Sequence, residues 1–102
     1  MPGVVVGPDT RIGDHSQMYA QSFLGHDSSL DEMVFVANNA SIGGRVSVHR
    51  GAHIGSNSSV IERITISEFA VVGLGSVVLK SVRPYEKVAG NPAKSIGFLP
   101  DP

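Results

Sequence analysis

Stepping through the chain six residues at a time from Val6 reaches Val6, Ile12, Met18, Leu24, Leu30, Val36, Ile42, Val48, Ile54, Val60, Ile66, Val72 and Val78. Every stop is a medium-sized apolar side chain. A second column runs two positions ahead of the first: Thr10, Ser16, Ser22, Ser28, Val34, Ala40, Val46, Ala52, Ser58, Ile64, Ala70 and Ser76, mostly small. A fixed internal period marks a repeat architecture and outranks local propensity. Side chains two apart on a strand share a face, so each hexad turns one large and one small residue inward. The residues between hexads must turn a corner. Pro8-Asp9, Asp14-His15, Asn38-Asn39, Gly44-Arg45, Arg50-Gly51, Ser56-Asn57 and Leu74-Gly75 are rich in Gly, Asn and Asp, which accept left-handed backbone. Helix does not fit, because the apolar period is not 3.6 and β-branched residues and glycine recur throughout. Three strands and three corners close a triangular coil, and stacked coils form parallel sheets on three sides. The hexads from Val6 to Arg83 predict an all-β parallel β-helix of a little over four coils, residues 1–83, with a tail and cap over residues 84–102.

Composition narrows the function. The 102 residues suit one domain, and 41% hydrophobic against 17% charged residues argues for a folded chain. A net charge of −1, with Lys and Arg scattered, gives no footprint for nucleic acid. Without cysteine there are no disulfides, zinc ribbons or thiol nucleophiles. The start, MPGVVVGPDT, lacks the basic and apolar regions of a signal peptide. No apolar run approaches the ~20 residues of a membrane span. A cytoplasmic protein is the expectation.

The repeat resembles the left-handed parallel β-helix of the hexapeptide-repeat acyltransferases over nearly the whole chain. The handedness comes from that resemblance, since the period does not fix it. The ladder is expected to stop at Pro84, which cannot donate a ladder hydrogen bond. The segment Val88 to Lys94, VAGNPAK, is similar to the terminal motif that follows the last coil in these enzymes. Val88, Ile96 and Phe98 are expected to cover the open end of the stack, which repeat proteins must cap. Many relatives carry an N-terminal sugar-binding domain; here the repeat begins almost at once, so the first coil is expected to be covered by a partner or by itself, or to fray.

One corner carries a histidine and an aspartate. His26 and Asp27 follow the inward Leu24 by two and three positions. Position alone asks no chemistry of them, because polar residues belong at corners. Acyl transfer from a thioester, however, needs a base for the proton of the attacking hydroxyl or amine, and imidazole suits that role near neutral pH. A neighbouring carboxylate can orient the ring and stabilise its cation. The stretch Gly25 to Val48, GHDSSLDEMVFVANNASIGGRVSV, is similar to the active-site region of bacterial enzymes that acetylate sialic acids and nucleotide-linked amino sugars. The resemblance implies that His26 is the general base, Asp27 its partner and Gly44 the donor of an oxyanion-binding N–H. Loss of such a donor costs ~3 kcal/mol in the transition state. It also implies a homotrimer that binds acetyl-CoA between subunits through Gly55, Ser56, Gly73, Leu74 and Ser76, with Lys94 and Lys80 near the phosphates. Two positions depart from the family. Phe35 stands where many relatives place a second histidine against acetyl-CoA, and His53 lies one rung further along that column; Phe35 can still line the donor channel. Tyr19 stands where some relatives have an asparagine near the acceptor.

Two rivals share the fold. A γ-class carbonic anhydrase resembles this chain at Gly25-His26, but Asp31 occupies the place of its next zinc histidine, and His49 and His53 sit in other columns. A three-histidine zinc site is therefore not expected. A β-helix kept only for binding or oligomerisation is the other. The expected function is acetyl-CoA-dependent O- or N-acylation of a sugar or sugar nucleotide, with no metal.

Overall fold

In this computed structural model, which describes residues 3–100, the hexad column becomes a run of two-residue strands from β1 (Val5–Val6) to β13 (Val77–Val78). Residues 1–2 and 101–102, the ends of the expected coil and tail, lie outside the described residues. From β1 to β10, each strand pairs in parallel with the strand three further on: Leu24 lies beside Ile42, Leu30 beside Val48, and Val36 beside Ile54. Every third strand therefore joins the same sheet. Three sheets result, the sides of a left-handed parallel β-helix of about five turns. Among the described residues no helix is long and apolar enough to cross a membrane.

The column read from the sequence is the core. Leu24, Leu30, Val36, Ile42, Val48, Ile54, Ile66 and Val72 are buried, each contributing about 1.5–3 kcal/mol by leaving water. The small column packs between them, and the buried hydroxyls of Ser28 and Ser58 tie one rung to the next. Ser28 Oγ donates to the Gly43 carbonyl (2.9 Å) and accepts from the Val46 N–H (3.0 Å). Ser58 repeats this with the Gly73 carbonyl (2.9 Å) and the Ser76 N–H (3.3 Å). No buried side-chain nitrogen or oxygen among the described residues lacks a partner, as a polar group in such a core requires.

The last residue of each corner is left-handed. Asp9, Asp27, Asn39 and Asn57 take this conformation as expected, but so do His15, Gln21, Met33, Arg45, Arg63 and Phe69. The ladder enforces it, at about 1–2 kcal/mol for each ordinary side chain. The middle residue of a corner keeps its N–H out of the ladder, whereas its neighbours on both sides donate. This corrects the expectation at Pro84. Proline occupies a middle position there, loses no ladder bond, and the coil runs on. Val82 bridges Ile66, and β14 (Glu86–Gly90) extends the third sheet with Val88 beside Val72. These partners stand sixteen residues apart, where earlier rungs are eighteen apart.

The tail also differs from expectation. β15 (Ala93–Phe98) pairs antiparallel with β14 and widens the third sheet. Val88 is buried, but Ile96 and Phe98 stay exposed, because β15 lies in the plane of the sheet instead of across the end of the stack. Phe98 rests under the Arg83 guanidinium (4.8 Å), which in turn donates to Glu86 (2.9 Å). At the opposite end, Val6 and Ile12 are 42% and 46% exposed, because no coil among the described residues packs over them.

Candidate active site

His26 and Asp27 occupy the corner between the first and second sheets. Three glycines shape it. A Cβ at Gly7 would lie 2.9 Å from the His26 backbone nitrogen, one at Gly25 2.6 Å from Gly43 C and Gly44 N, and one at Gly43 2.8 Å from Glu62 N. The corner therefore closes only with bare backbone on successive rungs. The His26 carbonyl accepts from the Arg45 N–H (2.8 Å), and the Asp27 N–H donates to Pro8 (3.0 Å). Asp27 has φ 58°, a conformation that aspartate tolerates.

His26 Nδ1 lies 2.9 Å from Asp27 Oδ2. An ionised carboxylate only accepts, so the ring that bonds it carries a proton on Nδ1, and in its neutral form that ring keeps its lone pair on Nε2. That lone pair is placed against the next rung: a Cβ at Gly44 would fall 2.6 Å from Nε2, and 2.9 and 3.0 Å from Cδ2 and Cε1. Only glycine leaves room for the ring there. As a middle corner residue, Gly44 also has an N–H without a hydrogen-bond partner among the described residues. Imidazole, carboxylate and unpaired amide thus share one corner. The dyad remains open, its side chains 48% and 46% exposed.

The other residues singled out in the sequence lie elsewhere. Phe35 stands on the outer face of the third sheet, between Tyr19 (centroids 4.8 Å apart) and His53 (4.7 Å, interplanar angle 19°). The Tyr19 hydroxyl donates to Gln17 (3.3 Å). Burial pushes the His53 pKa down. Gly55, Ser56, Gly73 and Leu74 form the corner between the third and first sheets, at the far end of the first sheet from His26. Packing accounts for Gly55, whose Cβ would lie 2.6 Å from Leu74 N; Leu74 itself is the most exposed of these, at 79%. Ser76 points into the core, fully buried, and its hydroxyl donates to Gly73 (2.6 Å), which leaves it no face toward a ligand. Lys94, on β15, shares with Lys80 a concavity of about 360 Å³ at the end of the stack. Within one chain, only Gly44 is brought to the dyad.

A second histidine–carboxylate pair escaped the sequence reading. His49 Nδ1 lies 3.0 Å from Asp31 Oδ2 on the corner between the second and third sheets, beside Arg50 and Glu32 (3.6 Å). Asp31 and His49 are one coil apart in the same column, so the repeat register held the signal. No three His, Cys, Asp or Glu side chains gather as a metal set among the described residues.

A three-sided parallel coil of hexads with a histidine–carboxylate corner defines a hexapeptide-repeat β-helix protein, and comparison with known proteins agrees. No family model matches the sequence. The acyl-[acyl-carrier-protein]–UDP-N-acetylglucosamine O-acyltransferase of Pseudomonas paraeruginosa is 33% identical over 87 residues, which are 85% of this chain and 34% of that protein. Serine acetyltransferase in complex with cysteine superposes with a TM-score of 0.87 at 24% identity, over 93% of this chain and 41% of the other. PerB from Caulobacter crescentus, in complex with CoA and GDP-perosamine, gives 0.73 at 26% identity, over 93% and 55%. The hexapeptide-repeat acyltransferases are the family whose repeat and fold this chain shares. The chain spans about a third of the length of the curated relatives it matches.

Proposed function

We propose that the chain, as a cytoplasmic homotrimer, transfers an acetyl group from acetyl-CoA to a hydroxyl or amino group of a sugar or sugar nucleotide. One observation carries the reading: a histidine whose Nδ1 is tied to a carboxylate, and whose Nε2 lies against the next rung, sits beside a glycine whose N–H has no hydrogen-bond partner among the described residues. The similarity to acyltransferases, one of them in complex with CoA and a nucleotide sugar, supports the donor and acceptor classes.

The acceptor's O or N bonds the thioester carbonyl carbon while its proton passes to His26 Nε2. Asp27 holds the Nδ1 proton and balances the imidazolium. The Gly44 N–H meets the oxyanion that forms on the carbonyl oxygen. Collapse breaks the C–S bond, and the departing thiolate takes the proton from Nε2, which returns His26 to its neutral form. Gly55, Ser56, Gly73 and Leu74, with Lys80 and Lys94, are assigned to the donor, and Phe35 and Tyr19 to the wall of the site. Because these residues and His26 occupy different sides of one prism, they serve a common site only across neighbouring copies.

The test is release of CoA thiol from acetyl-CoA in the presence of amino sugars and nucleotide sugars. His26→Ala is expected to lose most turnover while remaining a folded trimer by size-exclusion chromatography. Unchanged turnover in that variant, or a wild type that does not bind acetyl-CoA, refutes the assignment; the second result would leave the β-helix as a scaffold.

A further inference from the structure

The second histidine–carboxylate pair belongs to a column that the His26 corner does not use. On the corner between the second and third sheets, Asp31, His49 and Ser67 hold the same position on three successive rungs, as the pairing of Leu30 with Val48 and of Val48 with Ile66 requires. His49 Nδ1 is tied to Asp31 Oδ2, one rung behind it, at 3.0 Å. The two ring nitrogens of an imidazole direct their bonds in nearly opposite senses. A ring tied to the rung behind therefore turns Nε2 toward the rung ahead, and the residue there is Ser67. With its proton on Nδ1, the neutral ring keeps an acceptor lone pair on Nε2. Ser67 is half-buried, and its hydroxyl enters no side-chain hydrogen bond among the described residues. Arg83 follows Ser67 on the next rung, but its guanidinium is held by Glu86 (2.9 Å) and Phe98 (4.8 Å). The Glu68 N–H, a middle corner amide, also lacks a partner among the described residues. A concavity of about 330 Å³ opens here, lined by Asp31, His49, Arg50, Ser67, Glu68 and Pro84.

We propose that this corner is a second catalytic site, a serine ester hydrolase in which Ser67 is the nucleophile, His49 its base and Asp31 the positioning residue. Ser67 Oγ bonds the ester carbonyl carbon as its proton passes to His49 Nε2. The Glu68 N–H, on the residue after the nucleophile, meets the oxyanion. The C–O bond to the alcohol breaks, and the alcohol leaves with the proton from Nε2. Water then bonds the acyl carbon and gives a proton to Nε2, and Ser67 Oγ departs and regains it, so ester and water become acid and alcohol. No hydrogen bond joins Ser67 to His49 in this structure; a catalytic contact of this kind often closes only around the substrate. The cavity sets the substrate class. Its volume is at the lower end for a ligand pocket, which suits a short acyl chain. Asp31 and Glu68 line it, and Arg50, the cation among its lining residues, is paired with Glu32 at 3.6 Å. This excess of negative charge disfavours a polyphosphate donor, so the corner takes an uncharged ester and is not a second acetyl-CoA site. None of its residues belongs to the His26 corner, so it stands or falls independently of acetyl-CoA transfer.

The probe is p-nitrophenyl acetate, an uncharged short-chain ester, with His26→Ala as the parent so that the first imidazole adds nothing. Ser67→Ala and His49→Gln, each made in that parent, are expected to lose nitrophenol release by about a hundredfold or more while the melting temperature holds. Glutamine keeps a donor for Asp31 and removes the base. Asp31→Asn is expected to lower kcat and leave KM unchanged. In the wild-type chain a fluorophosphonate, which phosphonylates an activated serine with loss of fluoride, is expected to modify Ser67 by peptide mass spectrometry, and to leave it unmodified in His49→Gln. Nitrophenol release that survives Ser67→Ala overturns the inference, since His49 would then act on the ester or on water without a serine. A parent whose release does not exceed that of free imidazole, or a Ser67 that the fluorophosphonate leaves untouched, overturns it as well.

Discussion

Gly44→Ala separates two reasons for a glycine beneath His26. If Gly44 serves only through its N–H, alanine keeps that donor and should be nearly silent. If it also serves by leaving room, a methyl group at that place displaces the base. The Cβ would lie 2.6 Å from Nε2, where ordinary contact begins at 3.4 Å, so the ring must retreat by about 0.8 Å or swing into solvent. A displacement near 1 Å costs roughly a hundredfold in rate, equivalent to about 2.7 kcal/mol at the transition state. Stability should move the other way. Gly44 is not among the positive-φ glycines, and its substitution by alanine restricts the unfolded chain, a gain of about 0.5 kcal/mol. The expected variant is at least as stable as wild type by thermal denaturation. Its CoA thiol release is about a hundredfold slower, and its downfield imidazole N–H resonance is weakened as the His26–Asp27 bond is disturbed. Wild-type turnover in a folded Gly44→Ala variant would refute the steric argument and leave the amide as the residue's only role.

Two further outcomes test the scaffold. The hydrogen bond from the Arg83 side chain is the largest cause holding the Glu86 carboxyl down from 4.5 to about 2. A depressed carboxylate contributes stability above its unfolded pKa and loses it as the pH falls to the folded one. The melting temperature should therefore drop between pH 4.5 and 2, and in Glu86→Gln that acid limb should flatten. Arg63 is left-handed at φ 66°, and its ion pair to Glu62, at 3.8 Å, is exposed and of little worth. Arg63→Asn should raise the melting temperature by about 3 °C, the return on roughly 0.5 kcal/mol of relieved backbone strain.

The sequence was most legible where one physical rule repeats. Leu24, Ile42 and Ile54 could be placed in the core because inward side chains must recur with the strand period. His26 and Asp27 could be placed at a corner because they interrupt that period. What could not be read was the consequence of corners for the ladder. Pro84 looked like a terminator, yet the middle corner N–H is spare in each rung, a fact of the corner backbone and not of residue type. Ile96 and Phe98 looked like a cap because they are apolar, but hairpin pairing sends β15 along the sheet. Ser76 matched the donor-site position in the family, although the same column that makes Ser58 a rung-tie buries it. The Asp31–His49 pair was within reach, since the register aligns residues eighteen apart, but the two are distant in the chain and no local motif announces them.

The rung spacing sets how this chain can change length. Gly44 lies under His26 because exactly one circuit of backbone separates them, so a deletion of a single residue anywhere between would bring a side-chain-bearing neighbour beneath the imidazole. Whole coils can be added or removed elsewhere without touching the site, since each new layer meets its neighbours as the old one did. The chain itself shows where a partial circuit is tolerated: the final turn is two residues shorter, and the difference is absorbed at one corner, past the last rung that the dyad uses. Length variation in such a protein is therefore quantised near the site and continuous only beyond it.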